Sequence, residues 1–297
     1  MLAEINHFVN WVRQQNPEAR TWKDYKYDLY TLNTFLEGAT IFEVSFREID
    51  NYVVSQRNQG FTNSTINRRL ASITSFFLFI SIEYSEIECP VIARRHQLKR
   101  GHRLPKPVQK DDLDAFFEAI DQITPYSERI DPGPRDKAIF TLMLRCGLRI
   151  SEVADLLLDF LYLEEIKPRM IVYGKGSVER TVYLSPHALA TLQRYLDVRP
   201  HVMDDHVFLS YQMKGMSSTA IHYRLMVYRK MANVSFSSHN LRHTFANDLL
   251  NADMPVTSIQ KLLGHRWLES TQNYVLANDK LVAKDYYAAC ERLEEWI

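Results

Sequence analysis

Cysteine is scarce in this chain, and the three present, Cys89, Cys146 and Cys290, lie far apart with no metal-ligand spacing. That excludes a disulfide framework and a zinc finger, and it fits a reducing cytoplasm. Glycine is sparse as well, at 9 of 297 residues, too few for the many tight turns of an all-β fold. Long apolar runs are missing: the longest, "FFLFISI" from Phe76, falls far short of the ~20 residues a membrane span requires. The opening "MLAEINHFVNWVRQQ" has no basic segment followed by an apolar run, so it does not read as a signal peptide. Net charge is absent too, with 36 Lys+Arg against 36 Asp+Glu. The total alone argues against a polyanionic partner.

The distribution of charge argues otherwise. Residues 1–90 carry 8 basic against 11 acidic side chains, whereas residues 91–110, "VIARRHQLKRGHRLPKPVQK", carry 7 against none. From His206 to Asn247 there is no acid either, while Lys214, Arg224, Arg229, Lys230 and Arg242 supply five positive charges. A polyanion finds two landing strips. With 46% hydrophobic and 24% charged residues, the chain is ordinary for a globular protein and long enough for two cores. Nothing in it repeats.

Helical spacing of apolar positions dominates the first part. Leu2, Ile5, Phe8, Val9 and Val12 mark one helix over 2–15, and Trp22, Tyr25, Leu29, Leu32 and Leu36 mark a second over 21–37, closed by Gly38. After "SFREIDNYVVSQRNQG", the stretch "TNSTINRRLASITSFFLFISIEYS" predicts a third long helix capped at Asn63 or Ser64, with Ile66, Leu70, Ile73, Phe77 and Ile80 on its apolar face. The first ~90 residues thus predict a small all-α bundle. Two prolines in "RLPKPVQK" end the basic stretch and resist both helix and central strand, so 94–110 reads as an interdomain linker. Helices resume at Lys110 or Asp111, broken by "ITPYSERIDPGPRD". One segment signals β: "RMIVYGKGSVERTVYLS", two alternating strands around Gly174-Lys175-Gly176. The remainder, from Pro186, reads as helix.

The chemistry concentrates in "SFSSHNLRHTFANDLL". With Ser237 or Ser238 as the N-cap, His239, Arg242 and His243 share one face of the first two turns. A helix start offers unpaired N–H groups and partial positive charge, so an imidazole and a guanidinium placed there form a seat for a phosphate. His239 and His243 also have the i, i+4 spacing of a helical zinc pair, but no Glu follows His239 and no third ligand is evident. His243 by itself reads as a hydrogen-bonded core histidine. "DMPVTSIQKLLGHRW" predicts a helix with Pro255 near its first position and Gly264 just past its last, leaving His265 in the following turn. "LMLRCGLRISEVADLLLD" predicts a helix stopped at Gly147, a turn holding Arg149, and a new helix capped by Ser151.

In this order and spacing, "CGLRISEVADL", "VYGKGSVERTVYLS", "HNLRHTFANDLL", "LLGH" and "STQNYV" resemble the tyrosine recombinase, or phage integrase, family, of the simple two-domain Xer-like type. The likeness covers about Asp111 to Asn278, with a weaker N-terminal match in "TWKDYKYDLYTLNTFL" and "TINRRLASITSFF". It implies a mainly α chain: a helical, SAM-like core-binding domain over 1–93, the basic linker 94–110, and a mainly helical catalytic domain with a small β-hairpin or sheet over 111–297, together forming a clamp around double-stranded DNA. It implies Arg149, Lys175, His239, Arg242, His265 and Tyr274 as the catalytic set. Tyr274 would attack a backbone phosphorus to give a 3′-phosphotyrosyl link and a free 5′-hydroxyl, with His239 taking the phenol proton and Lys175 protonating the leaving oxygen.

Arg149, Arg242 and His265 would stabilise the non-bridging oxygens, so neither metal nor other cofactor nor ATP is expected. Glu152 would orient Arg149. Where the family often has glycine before the "IQKLLGH" helix, this chain has Asn251-Ala252-Asp253, whose Asn and Asp tolerate left-handed geometry. Phosphate contacts are expected from Arg68, Arg69, Arg94, Arg95, Lys99, Arg100, Arg103, Lys214, Arg224, Arg229 and Lys230. The terminal "LVAKDYYAACERLEEWI" is expected to dock as an exchanged helix on a neighbouring protomer of a tetramer, in a cytoplasmic, nucleoid-associated setting. A nicking-closing topoisomerase and a non-cleaving architectural DNA-binding protein are the competing readings.

Overall fold

The computed structural model describes residues 1–15, 17, 21–99, 106–124, 130–174 and 179–264, and the chain divides into two compact units, Met1–His102 and Arg103–Ile297. Among the described residues, no helix is long and apolar enough to cross a membrane.

The first unit is built on four helices: α1 (Leu2–Gln15), α2 (Thr21–Phe35), α3 (Phe46–Asn58) and α4 (Asn63–Glu83). Their apolar stripes meet in one core of Ile5, Phe8, Leu29, Leu32, Ile49, Tyr52, Ile66, Ile73, Phe76 and Phe77, all at most 2% exposed. Burial on that scale contributes roughly 1.5–3 kcal/mol per large side chain. Helix α3 was not among the elements expected from the sequence. Its start is marked by a capping box: the Ser45 backbone and hydroxyl both donate to Glu48, at 2.9 and 2.5 Å, and the Arg47 amide donates to the Ser45 hydroxyl. The α4 cap is Thr62 rather than Asn63 or Ser64.

The first part of the expected linker belongs to this unit. A short helix, α5 (Ala93–His96), buries His96, whose Nε2 lies 3.2 Å from Asp50, and Arg95 grips the same Asp50 through two nitrogens. Asn67 exchanges two hydrogen bonds with Leu98, and Asn63 donates to the Lys99 carbonyl.

In the second unit, α6 (Lys110–Asp121), α7 (Pro132–Arg145), α8 (Ile150–Ala154), α9 (Pro186–Val198), α10 (Ser218–Met231), α11 (Ser238–Asn251) and α12 (Val256–Leu263) accompany a three-stranded antiparallel sheet. Helix α7 is buried on every side from Ala138 to Leu144, as a helix inside a large core must be. The strands β2 (Arg169–Tyr173) and β3 (Glu179–Tyr183) match the expected hairpin, and β1 (Leu161–Tyr162) adds a third strand beside β2. In β2 and β3, Met170, Val172 and Val182 face the core. Arg180, paired with Val172, shares their side of the sheet. The start of this unit is fixed by two bonds to α11: Asn240 donates to the Lys106 carbonyl, and the Val108 amide donates to Thr244.

Candidate active site

The turn between α7 and α8 is the first piece of the site. Gly147 has φ +65°, and a Cβ there would stand 2.4 Å from the Phe245 ring of α11, so only glycine lets the chain turn against that helix. Two residues on, Arg149 holds the N-cap position of α8 in extended backbone. Its amide donates to Glu152 Oε2 and its guanidinium Nη1 donates to Oε1, both at 2.7 Å. The cap is therefore Arg149 with Glu152, not Ser151.

Glu152 is 1% exposed in its side chain and gathers three arginines. Besides Arg149, Arg180 of β3 donates to both carboxylate oxygens, at 2.5 and 2.7 Å, and Arg242 of α11 stands 3.7 Å away. Burial by itself would raise this carboxyl. The hydrogen bonds and charge of Arg180, the Arg149 amide and the Arg242 charge outweigh it and hold the group down at about 2. It is therefore an anion at neutral pH.

Arg242 is buried, and its guanidinium donates to the carbonyls of Gly147 and Leu263. It thereby ties the α7–α8 turn to the end of α12. Helix α11 begins at Ser237, which forms a box with Asn240. His239 is exposed in its first turn, one turn ahead of Arg242, with its ring 6.5 Å from that of His243. Burial, helped by the neighbouring His239 and Arg242, pushes the His243 imidazole below its ordinary range. No cluster suited to a metal ion occurs among the described residues. Asp253, just past the Ala252 cap that ends α11, takes φ +61°, and Gly264, the cap that ends α12, takes φ +61° as well, the left-handed geometry in which helices commonly stop.

The structure thus brings Arg149, Arg242 and Glu152 together and puts His239 at the head of the same helix as Arg242. Lys175, His265 and Tyr274 lie outside the described residues, as do Arg100, Arg103 and the C-terminal segment. Arg180, which sequence reasoning missed, occupies the centre. The strand alternation carried the signal, because a basic side chain on the inward face of β3 demands a buried acid.

Two of the expected phosphate contacts are corrected. Arg69 is 2% exposed, bonded to Gln56, stacked 4.1 Å over the Phe61 ring and 3.8 Å from Asp28. Arg224 is 8% exposed, donating to Asp136 at 2.5 Å and stacked on Tyr228. Both serve the cores. Arg68 and Arg95 are about half exposed while paired with Asp28 and Asp50. Arg94, Lys99, Lys214 and Lys230 are exposed, and Arg229 is half-buried.

Comparison with known proteins gives two family matches: "Phage integrase family" over residues 108–280 and "Phage integrase, N-terminal SAM-like domain" over residues 5–83. A tyrosine recombinase XerC of Alcanivorax borkumensis is 29% identical over 300 residues, covering 99% of this chain and 95% of its own length. The XerC of Staphylococcus haemolyticus is 29% identical over 298 residues, covering 97% of each. In fold, the chain is similar to the XerH site-specific recombinase bound to a palindromic difH substrate in a post-cleavage complex. That likeness has a TM-score of 0.74 at 19% identity, over 91% of this chain and 80% of the other. A lambda integrase dimer bound to a core site gives 0.70 at 16% identity, over 90% and 95%.

Proposed function

We propose, from the premise that the chain belongs to the phage integrase family of tyrosine recombinases, that it is a site-specific DNA recombinase which cuts and rejoins strands through a 3′-phosphotyrosyl intermediate. The observation that carries this reading is the convergence of Arg149 and Arg242 on one buried carboxylate, Glu152 of α8. Two guanidinium forks held rigidly suit the non-bridging oxygens of a phosphodiester better than mobile ammonium groups would.

In the proposed reaction, the Tyr274 hydroxyl attacks the phosphorus and passes its proton to His239. The 5′-oxygen leaves with a proton from Lys175, and Arg149, Arg242 and His265 stabilise the developing charge. A phenol with a pKa near ~10 needs such a base at neutral pH. The phosphotyrosyl ester conserves the energy of the broken bond, so the 5′-hydroxyl of a second strand can attack it and release the tyrosine. Exchange between two duplexes calls for four protomers, and the segment 281–297 is proposed to link neighbours. The exposed Arg94, Lys99, Lys214 and Lys230, with Arg68, Arg95, Arg229, Arg100 and Arg103, are proposed to hold phosphates, in a cytoplasmic, nucleoid-associated setting.

A suicide duplex nicked beside the cleavage point tests the reading. The wild-type protein should become covalently joined to the DNA and Tyr274→Phe should not, and exchange between two labelled duplexes should follow. DNA binding without an adduct would indicate an architectural protein, and relaxation without exchange a nicking-closing enzyme.

A further inference from the structure

We infer that Arg180 is a positioning residue for strand cleavage, locking Glu152 and the last turn of α12 into the arrangement that aims Arg149 and Arg242 at the phosphate. The inference rests on the recombinase reading and deepens it.

Arg180 spends its guanidinium on partners that belong to two other parts of the site. Nη1 and Nη2 donate to the two oxygens of Glu152, and Nε donates to the Leu262 carbonyl at 2.8 Å. The next carbonyl, of Leu263, receives Arg242. One side chain therefore fixes the acid that Arg149 leans on and the helix end that Arg242 leans on. The fork geometry matters: a planar guanidinium holds both carboxylate oxygens at once, which an ammonium cannot do.

The surroundings are built to keep it there. Arg180 is 8% exposed in its side chain, placed inward by its register with Val172. Gly264 leaves the space its stem crosses, since a Cβ at 264 would stand 3.0 Å from Arg180 Cδ. Arg180 also lies one residue pair from the end of the β2–β3 ladder where Tyr173 meets Glu179, so the same contacts anchor that end of the sheet to Glu152 and α12.

Losing such a hold lets the reacting groups drift, and a misplacement of about 1 Å reduces rates by up to ~10²-fold. The test compares Arg180→Met and Arg180→Lys with wild type. Single-turnover trapping on the suicide duplex is measured from pH 5 to 9, with DNA affinity measured in parallel. Arg180→Met should cleave ~10²-fold more slowly with affinity within about 3-fold, and Arg180→Lys should recover part of the loss.

A further signature separates positioning from general support of the fold. Without Arg180, the buried Glu152 carboxyl loses its strongest partner and rises, so Arg180→Met should acquire an acid limb in its cleavage profile beyond any that wild type shows. Arg180→Met/Glu152→Gln should lack that limb. Carbon NMR of the Glu152 carboxyl follows the same rise without requiring any cleavage. A wild-type protein that forms no adduct refutes the recombinase reading, whereas an adduct-forming wild type with an unchanged rate in Arg180→Met overturns the inference. An unmoved Glu152 carboxyl in Arg180→Met also overturns it, as does a loss of affinity and cleavage in equal proportion. Should Arg180→Met fail to fold, Arg180→Lys supplies the same comparison.

Discussion

Glu152 carries the electrostatic weight of the candidate site at the scale of single residues. It is a buried carboxylate at about 2, held there by Arg180, Arg149 and Arg242 against the opposing effect of burial. Because its folded-state value lies below the ordinary value of 4.5, the unfolded chain binds the proton more readily. The stabilisation is therefore complete above pH 4.5 and is lost as the pH falls towards 2, a contribution of about 3 kcal/mol. Glu152→Gln should lower stability at pH 7 and flatten the acid limb of a melting-temperature profile. Parallel profiles for the two proteins would refute the assignment. The same scale shows what a sequence discloses and what it does not. His239, Arg149 and Arg242 were legible because helix spacing and order are local properties. Arg69 and Arg224 were misread as surface groups although the spacing contradicted it: Arg69 sits three past Ile66 and four before Ile73, and Arg224 three past Ile221 and four before Tyr228. Residues at those intervals share the buried stripe. Arg180 was missed for a different reason, since its partners Glu152 and Leu262 are 28 and 82 positions away, and only the tertiary fold makes them neighbours.

At the scale of elements, the short connections decide the geometry. Helices α7 and α8 are joined by a turn in which Gly147 supplies a left-handed residue against the Phe245 ring and a carbonyl for Arg242. Gly147→Ala should destabilise the protein by at least about 2 kcal/mol, through the unfavourable φ and the displaced ring. It should also slow cleavage more than it weakens DNA binding, because the shifted carbonyl supports an arginine of the site. Denaturant melts and the suicide-duplex assay together check this, and wild-type stability would show that the ring moves aside freely. The expected stop at Gly147 was readable because glycine marks left-handed turns. Helix α3 was equally readable from the Ser45 to Glu48 spacing, yet its short, polar-rich stretch hides an apolar face that is clear only when packed. The strand β1 had no such signal: two residues long, it is defined by its pairing with β2 rather than by any alternation of its own.

For the whole molecule, zero net charge conceals a division of labour among basic side chains. Buried cations are bound to internal acids, as Arg69, Arg135 and Arg224 are, through Asp28 and Asp136. Exposed cations such as Lys99, Lys214 and Lys230 can neutralise phosphates, which releases the counterions condensed on the nucleic acid. These two groups should respond differently to substitution. Removing one cation that neutralises a phosphate reduces the slope of log affinity against log salt by about 0.9 on duplex DNA. If Lys99 and Lys230 both hold phosphates, the Lys99→Ala/Lys230→Ala protein should bind its site with a slope about 2 smaller in magnitude and an unchanged melting temperature. Arg224→Ala should behave in the opposite way. It leaves the buried Asp136 with Arg135 and Tyr228 but without the second of its two arginines, and removing one partner from a buried ion-pair network destabilises by up to about 3–5 kcal/mol, while the slope measured on the protein that remains folded stays that of wild type. A salt titration of both variants over 50–300 mM, with thermal melts of each, separates the roles. A reduced slope in Arg224→Ala would mean that this arginine leaves Asp136 to meet the DNA, and an unchanged slope in the double lysine variant would remove those two residues from the interface.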